Sequence, residues 1–404
     1  MSRSGPLPLG LTAEALAAAM AQPEPDSLAA ATLLRRDFGP DLAAAALHQA
    51  SLRRQAAVKF GADAAQLFFT RDGLEQATRP VVADHHASRF AAAGVRRVID
   101  LGCGIGSDAL AFARAGLEVV ALERDPELAA VAAANLGDRA RVVCADAEQV
   151  ADDLLSPGVG VFCDPARRNV RGRLWRVEDF SPSWDLVRSL LDGRRTAGVK
   201  LGPALPHDLI PPSVETEWLS DLGDVVEVGL WAGPGATPAA RAALVRARSS
   251  SWHRLVTVPG PPLQVRDLGR HLFEPDGAVI RSGGITQLGR TLHAGLLDPH
   301  LAYLTGDTEA HTPFATTFAV RERLPYHRKT LRRWVAEHGI GRLEIKQRGI
   351  VGDPADLRRE LRPSGPHSAT MIISRTPHGT LVAVADRVDW PRDRDPRLKI
   401  VSET

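Results

Sequence analysis

The sequence predicts an α/β fold: a doubly wound, Rossmann-like sheet with a helical N-terminal region before it and a smaller α+β C-terminal region after it. Three observations point there. From Val95 onward, apolar runs of strand length alternate with helical stretches (RRVIDLG, SDALAFARAG, LEVVALE, DPELAAVAAANL, ARVVCAD), which is the pattern of βαβ units on a parallel sheet. The first run passes into the first helix through a glycine-rich turn, GCGIG, where the backbone can bend tightly and be approached closely. Further apolar runs at GVGVFCDP, TAGVKLG and DVVEVGLW bring the count to about six strands, so residues 95–250 read as one doubly wound domain.

The remaining elements follow from local pattern. Residues 1–94 are expected to be helical, because apolar positions recur at helical spacing in PDLAAAALHQASLRRQAAVKFG, and Asp26 or Ser27 stands where a helix cap belongs. AQLFFTRDGLEQAT interrupts that pattern before a further helix at ASRFAAAG. After RARSSSWHR and the proline-rich VPGPPLQV the alternation is lost. Residues 251–320 read as a small α+β region, with a ferredoxin-like arrangement as one candidate. In residues 321–404 a helix in PYHRKTLRRWVAEHG precedes the strands LEIKQRGI and SATMIISRTPHGTLVAVADRV, the latter a hairpin turning at Pro377-His378-Gly379.

Composition bounds the function without naming it. At 404 residues the chain exceeds what one core usually serves. Hydrophobic residues at 44% and charged residues at 24% are ordinary globular proportions. No uncharged apolar run approaches the length of a membrane span, and the first twenty residues lack the apolar core of a leader, so a cytoplasmic protein with no membrane partner is expected. Cys103, Cys144 and Cys163 are odd in number and too widely spaced for a metal knuckle; they read as buried small hydrophobes, with no metal site. Charge is uneven. Residues 321–404 hold 18 Lys+Arg against 11 Asp+Glu, so that of the net +2 this tail carries about +7 and the rest about −5. A basic module attached to a mildly acidic one is compatible with nucleic acid or with a solvated basic face.

The chemistry concentrates in VIDLGCGIGSDAL. A strand ends at Asp100, the loop turns at Gly102, Gly104 and Gly106, and a helix begins. Gly104-Ile105-Gly106-Ser107-Asp108-Ala109 can be forced onto the dinucleotide pattern GxGxxA, a weak match by itself. The fuller DxGxGxG pattern, with its acid two places before the first glycine, resembles the S-adenosylmethionine loop. The next two strands end in Glu123, placed for ribose hydroxyls, and Asp146, placed for an adenine amine. Surface acids or helix caps are the plain alternatives for each. The fourth strand ends in VFCDPARR, and the fifth in Lys200 of GVKLG; ligands of open α/β sheets lie beyond these strand ends.

Taken together, LEQAT, DLGCGIGSDAL, DPARR and EIKQRG followed by a hairpin resemble the bacterial class I methyltransferases with a C-terminal THUMP-like domain, over nearly the whole chain. The resemblance implies a methyltransferase using S-adenosylmethionine and acting on RNA, tRNA or rRNA. It implies catalytic roles at Asp164, Pro165, Arg167 and Lys200. Cofactor contacts are expected at Asp100, Gly102, Gly104, Gly106, Glu123, Asp146, Gln76 and Thr78, with Thr70 a further candidate. RNA contacts are expected at Arg328, Lys329, Arg332, Arg333, Lys346 and Arg348, with Tyr326 and Trp334 offering stacking surface. Ala166 and Arg167 stand where related motifs carry a second proline and an aromatic residue, which leaves the target atom open. Cys163, one residue before Asp164, should point away from the cleft by strand alternation. Direct in-line transfer without a covalent enzyme intermediate is therefore expected. Competing readings are methylation of DNA or a small molecule, and a binding module that has lost its chemistry. Periodicity also allows RKTLRR to be the solvated face of a helix that packs Leu331, Trp334 and Val335 inward.

Overall fold

A computed structural model describes residues 7–149, 156, 158–167, 179–247 and 251–388. The chain divides into two compact units: Met1–Glu215 with Gly229–Ala239, and Thr216–Val228 with Ala240–Thr404.

The first unit opens with helices α1 (Ala13–Met20), α2 (Leu28–Asp37), α3 (Pro40–Phe60), α4 (Arg71–Gln76) and α5 (Pro80–Ala92). Ser27 caps α2 by accepting the Ala30 N–H at 3.2 Å. The segment that breaks the sequence pattern contains α4, a single short helix capped by Thr70, which accepts the Gly73 N–H at 3.0 Å. Then come β1 (Arg97–Leu101), α6 (Ser107–Arg114), β2 (Glu118–Glu123), α7 (Pro126–Leu136), β3 (Arg141–Cys144), β4 (Val159–Cys163), β5 (Ala166–Arg167), β6 (Phe180–Ser181), α8 (Trp184–Leu190) and β7 (Ala197–Leu201). Strands β8 (Glu215–Asp221) and β9 (Asp224–Ala232) follow, and β9 contributes Gly229–Ala232 to this unit.

The strand order here is β9-β7-β4-β1-β2-β3, and β1–β2, β1–β4, β2–β3 and β4–β7 pair in parallel. This is the doubly wound arrangement. The order reverses between β1 and β4, so the carboxyl ends of those strands border the crevice where ligands bind. The central strands read as continuous apolar runs because both faces are covered. Phe90 on α5, Phe112 on α6 and Phe162 on β4 interlock with ring centroids 5.3–6.4 Å apart. The N-terminal helices share this core: Leu52, Phe60 and Phe69 are buried in the same cluster as Val98 and Phe112.

The second unit holds β10 (Arg241–Arg246) between β8, its parallel neighbour, and β11 (His253–Val256), its antiparallel one. Next come β12 (His271–Pro275), α9 (Gly277–Ser282), α10 (Ile285–Thr291), β13 (Gly295–Asp298), β14 (Leu301–Gly306), β15 (Ala315–Pro325), α11 (Arg328–Glu337), β16 (Ile340–Arg348), α12 (Pro354–Leu361), β17 (His367–Thr376) and β18 (Gly379–Val388). β17 and β18 form the expected hairpin about Pro377 and His378. Strands from the two C-terminal stretches join one seven-stranded sheet, ordered β13-β14-β12-β15-β18-β17-β16. It curls. Lys346 on β16 reaches Glu274 on β12 at 2.7 Å, although three strands lie between them in the sheet. Arg375 on β17 likewise pairs with Asp298 on β13 at 3.1 Å. Helices α11 and α12 cover β16–β18 by burying Leu331, Trp334, Val335, Leu357 and Leu361 against Ile345, Met371 and Val384.

Candidate functional site

The cleft is built from strand ends. Asp100, the penultimate residue of β1, is 1% exposed, and its Oδ2 has no hydrogen-bond partner among the described residues. Burial, reinforced by the charges of Asp108 and Asp164, pushes its carboxyl well above the usual range, against the pull of Lys200. The loop that follows holds Gly102, Gly104 and Gly106 at φ of 80°, 56° and 86°, conformations that side chains rarely adopt. Its two sides differ. A Cβ on Gly104 would meet nothing within 4 Å, whereas one on Gly106 would press on Leu136 of α7 at 3.3 Å. One side of the loop is thus an open cradle and the other is packed.

Glu123, at the end of β2, clamps this loop. Its Oε2 accepts the Gly104 N–H at 2.9 Å and its Oε1 accepts the Asp125 N–H at 3.0 Å. A carboxylate has about four acceptor positions, so sites remain on Glu123 for two hydroxyls. Asp146, half-buried just beyond β3, accepts the Glu148 N–H at 3.0 Å. Asp164, just beyond β4, and Lys200, the penultimate residue of β7, form an ion pair, with side chains 33% and 14% exposed. Pro165 is buried behind them. The side chain of Arg167 and all of Arg168 lie outside the described residues.

The lead-in segment sits on the loop. A Cβ on Gly73 of α4 would lie 2.5 Å from the Ile105 side chain, so glycine lets this helix lie against the loop. Thr78 is buried, and its hydroxyl donates to Asp108 Oδ2 at 2.5 Å, while His86 Nδ1 lies 2.8 Å from Asp108 Oδ1. Burial pushes the Asp108 carboxyl up, but the hydrogen bond and charge of His86, with Lys200 and Thr78, outweigh it and bring the group below its usual range. Gln76 is exposed.

Sequence reasoning missed Asp108, His86 and Asn135. Asn135 on α7 holds the lead-in to the loop by accepting the Phe68 N–H at 2.7 Å and donating to the Phe68 and Ile105 carbonyls at 3.0 and 2.9 Å. An acid in a first helical turn reads as a dipole partner, and nothing in the pattern reveals contacts between segments 22 to 67 residues apart.

The cleft is acidic. Asp100, Glu123, Asp108 and Asp164 surround the loop, which would repel a pyrophosphate and attract a cationic ligand. The helix N-terminus, where a dinucleotide would place its phosphates, has the acid Asp108 in its first turn. A sulfonium cofactor fits this arrangement, with the open side of Gly104, the unpartnered Asp100 oxygen and the remaining Glu123 lone pairs to receive it. Two of the three cysteines differ from the expectation that all are buried. Cys163 is buried, but Cys103 is partly exposed and Cys144 exposed, because it ends the short edge strand β3. Burial, with the acids nearby, pushes the Cys103 and Cys163 thiols well up, so neither is a thiolate at neutral pH.

The basic residues of the second unit fall into two groups. Arg328, Lys329, Arg332 and Arg333 are exposed on the outer face of α11. Arg328 pairs with Glu360, and Arg333 with Glu337 at 3.8 Å. With Arg359 and Arg362 of the neighbouring segment, Arg328, Lys329 and Arg332 line a shallow depression of about 690 Å³. Lys346 and Arg348 are elsewhere, half-buried, reaching across the curled sheet to Glu274 at 2.7 and 3.6 Å. Trp334 is buried, with its Nε1 donating to Glu322 at 2.8 Å, so its ring is not an open stacking surface.

Three family models match: a methyltransferase domain over residues 98–157, a THUMP domain-like module over residues 315–387, and a domain of unknown function over residues 12–56. An uncharacterized S-adenosylmethionine-dependent methyltransferase of Mycobacterium tuberculosis is 31% identical over 376 residues, covering 89% of this chain and 99% of the relative. A 23S rRNA (uracil-C5)-methyltransferase of Acidithiobacillus ferrooxidans is 29% identical over 109 residues, only 26% of this chain and 19% of its own length. Among solved structures, a methyltransferase candidate from Porphyromonas gingivalis W83 superposes with a TM-score of 0.73 at 20% identity, covering 93% of this chain and 98% of the other.

Proposed function

Because this chain belongs to the S-adenosylmethionine-dependent methyltransferases and carries a THUMP-like domain near its C-terminus, we propose that its substrate is a nucleobase in structured RNA, tRNA or rRNA, of the cytoplasm. The observation that carries the RNA reading is the exposed basic face of α11 within the THUMP-like match. Its ion pairs are at the surface and worth at most about 1 kcal/mol each, so phosphates can replace them.

S-adenosylmethionine supplies an already activated methyl group, so the protein's task is alignment. Asp100, Gly102, Gly104, Gly106, Glu123 and Asp146 form the cofactor side of the cleft, with Thr78 tying the lead-in to it and Gln76 at its outer edge. Lys200 pairs with Asp164, which fixes the carboxylate in the cleft, where it orients a target amine and aims its lone pair. Pro165 restricts the backbone beside it, and Arg167 grips RNA phosphate. Cys103 and Cys163, the cysteines beside the cleft acids, are held as thiols, which favours direct in-line transfer. Mass spectrometry of nucleosides from the RNA of a deletion strain and its parent tests the proposal. One methylated nucleoside should be missing; identical profiles would remove RNA as the substrate.

A further inference from the structure

We infer that Lys59, in the N-terminal helical region, is the anion-holding end of the cofactor site and receives the α-carboxylate of the methionine moiety. Lys59 lies in the last turn of α3, and its Nζ donates to the Leu74 and Glu75 carbonyls of α4 at 2.8 and 3.2 Å. An ammonium has three donors, and these two bonds leave one. Because α4 lies against the glycine loop at Ile105 and runs on into Thr78, which is bonded to Asp108, the Lys59 ammonium sits at the seam between lead-in and loop.

The charges around it call for an anion. The groups acting on Lys59 are Lys200 at the end of β7 and Arg79 at the start of α5, together with the neutral carbonyls of α4 and the ring of Phe60, whose centroid is 5.8 Å away. Burial and those two cations bring the Lys59 amine down to about 8. Among the described residues Lys59 pairs with no carboxylate, whereas Lys200 is committed to Asp164. A methionine end carries a sulfonium, an ammonium and a carboxylate. The acids suit the first two. The usual place for the third, the helix N-terminus after the loop, has the acid Asp108 in its first turn, a like charge for a carboxylate placed there. Lys59 answers the remaining charge, which makes the N-terminal helices part of the cofactor site. The inference rests on the cofactor alone and is independent of the RNA target.

Calorimetry with S-adenosylhomocysteine and with S-adenosyl-3-thiopropylamine, which lacks the carboxylate, tests it on the full chain. Lys59→Met should weaken S-adenosylhomocysteine about 10-fold to 100-fold while changing the decarboxylated ligand by less than about 2-fold, as expected for one charge-assisted hydrogen bond. Lys59→Arg should restore binding. Wild-type affinity for S-adenosylhomocysteine should fall as pH rises from about 7 to 9, with the arginine variant flatter over that window. Unchanged binding in Lys59→Met overturns the inference. Equal loss of both ligands also overturns it, since Lys59 would then merely support α4.

Discussion

Asp164 and Lys200, 36 residues apart, form an ion pair at the carboxyl ends of β4 and β7, continuing the register that pairs Cys163 with Val199. Two groups that the sequence placed separately on the same cleft are one unit. Asp164→Ala should leave S-adenosylhomocysteine binding nearly unchanged and lower single-turnover methylation of RNA by about 10²–10³-fold, the loss typical of one preorganised electrostatic contact. Lys200→Met should give a smaller loss of the same kind. Equal turnover in the Asp164 variant and wild type would place the chemistry elsewhere.

Glu123 holds the glycine loop through two backbone N–H groups. Glu123→Ala releases the Gly104 and Asp125 N–H groups together, so it should cost about 1–3 kcal/mol in urea unfolding as well as weakening S-adenosylhomocysteine. A loss of affinity with no loss of stability would mean that the clamp has no structural weight. Gly104→Val should abolish binding and cost stability, since it fills the cradle and forces a branched residue to φ of 56°.

Asp100 and Asp108 should show opposite pH signatures. The folded Asp100 carboxyl titrates above its unfolded value of 3.8, so the fold is penalised once pH rises past 3.8 towards that higher value. Asp100→Asn should therefore raise the melting temperature at neutral pH, with the gain fading near pH 4, and it should weaken cofactor binding. Asp108 titrates below 3.8 in the fold, so its contribution is present above 3.8 and lost as pH falls through the lower value. Asp108→Asn should flatten that acid limb of stability. Scanning calorimetry across pH reads both.

Neutralising Arg328, Lys329, Arg332 and Arg333 together should weaken RNA binding and reduce its salt slope by up to about 0.7–0.9 per lost phosphate contact, while S-adenosylhomocysteine binding survives. Circular dichroism confirms that the variant is folded. An unchanged slope would move RNA docking to another surface. Lys346→Met should behave differently, because it leaves Glu274 without its closest cation. It should lower thermal stability by about 1–3 kcal/mol and leave the slope alone.

The sequence by itself determined the architecture and the chemistry of each strand end. Alternating apolar runs with a glycine-rich turn point to a parallel sheet, and Asp100, Glu123, Asp146, Asp164 and Lys200 then fall at or near strand carboxyl ends, because strand lengths and their ends are read from local pattern. Helical spacing allowed Leu331, Trp334 and Val335 to turn inward while the arginines of α11 face out, and that alternative is what the structure shows, against the expectation of Trp334 as stacking surface. Only tertiary structure decided what those residues touch. Thr78, Asp108 and His86 meet because α5 packs on α6, Asn135 joins lead-in to loop, and Lys346 turns inward because the C-terminal sheet curls until β16 faces β12. Such contacts depend on how far a sheet coils and how helices stack. Those are properties of packing between distant segments, and no local periodicity records them.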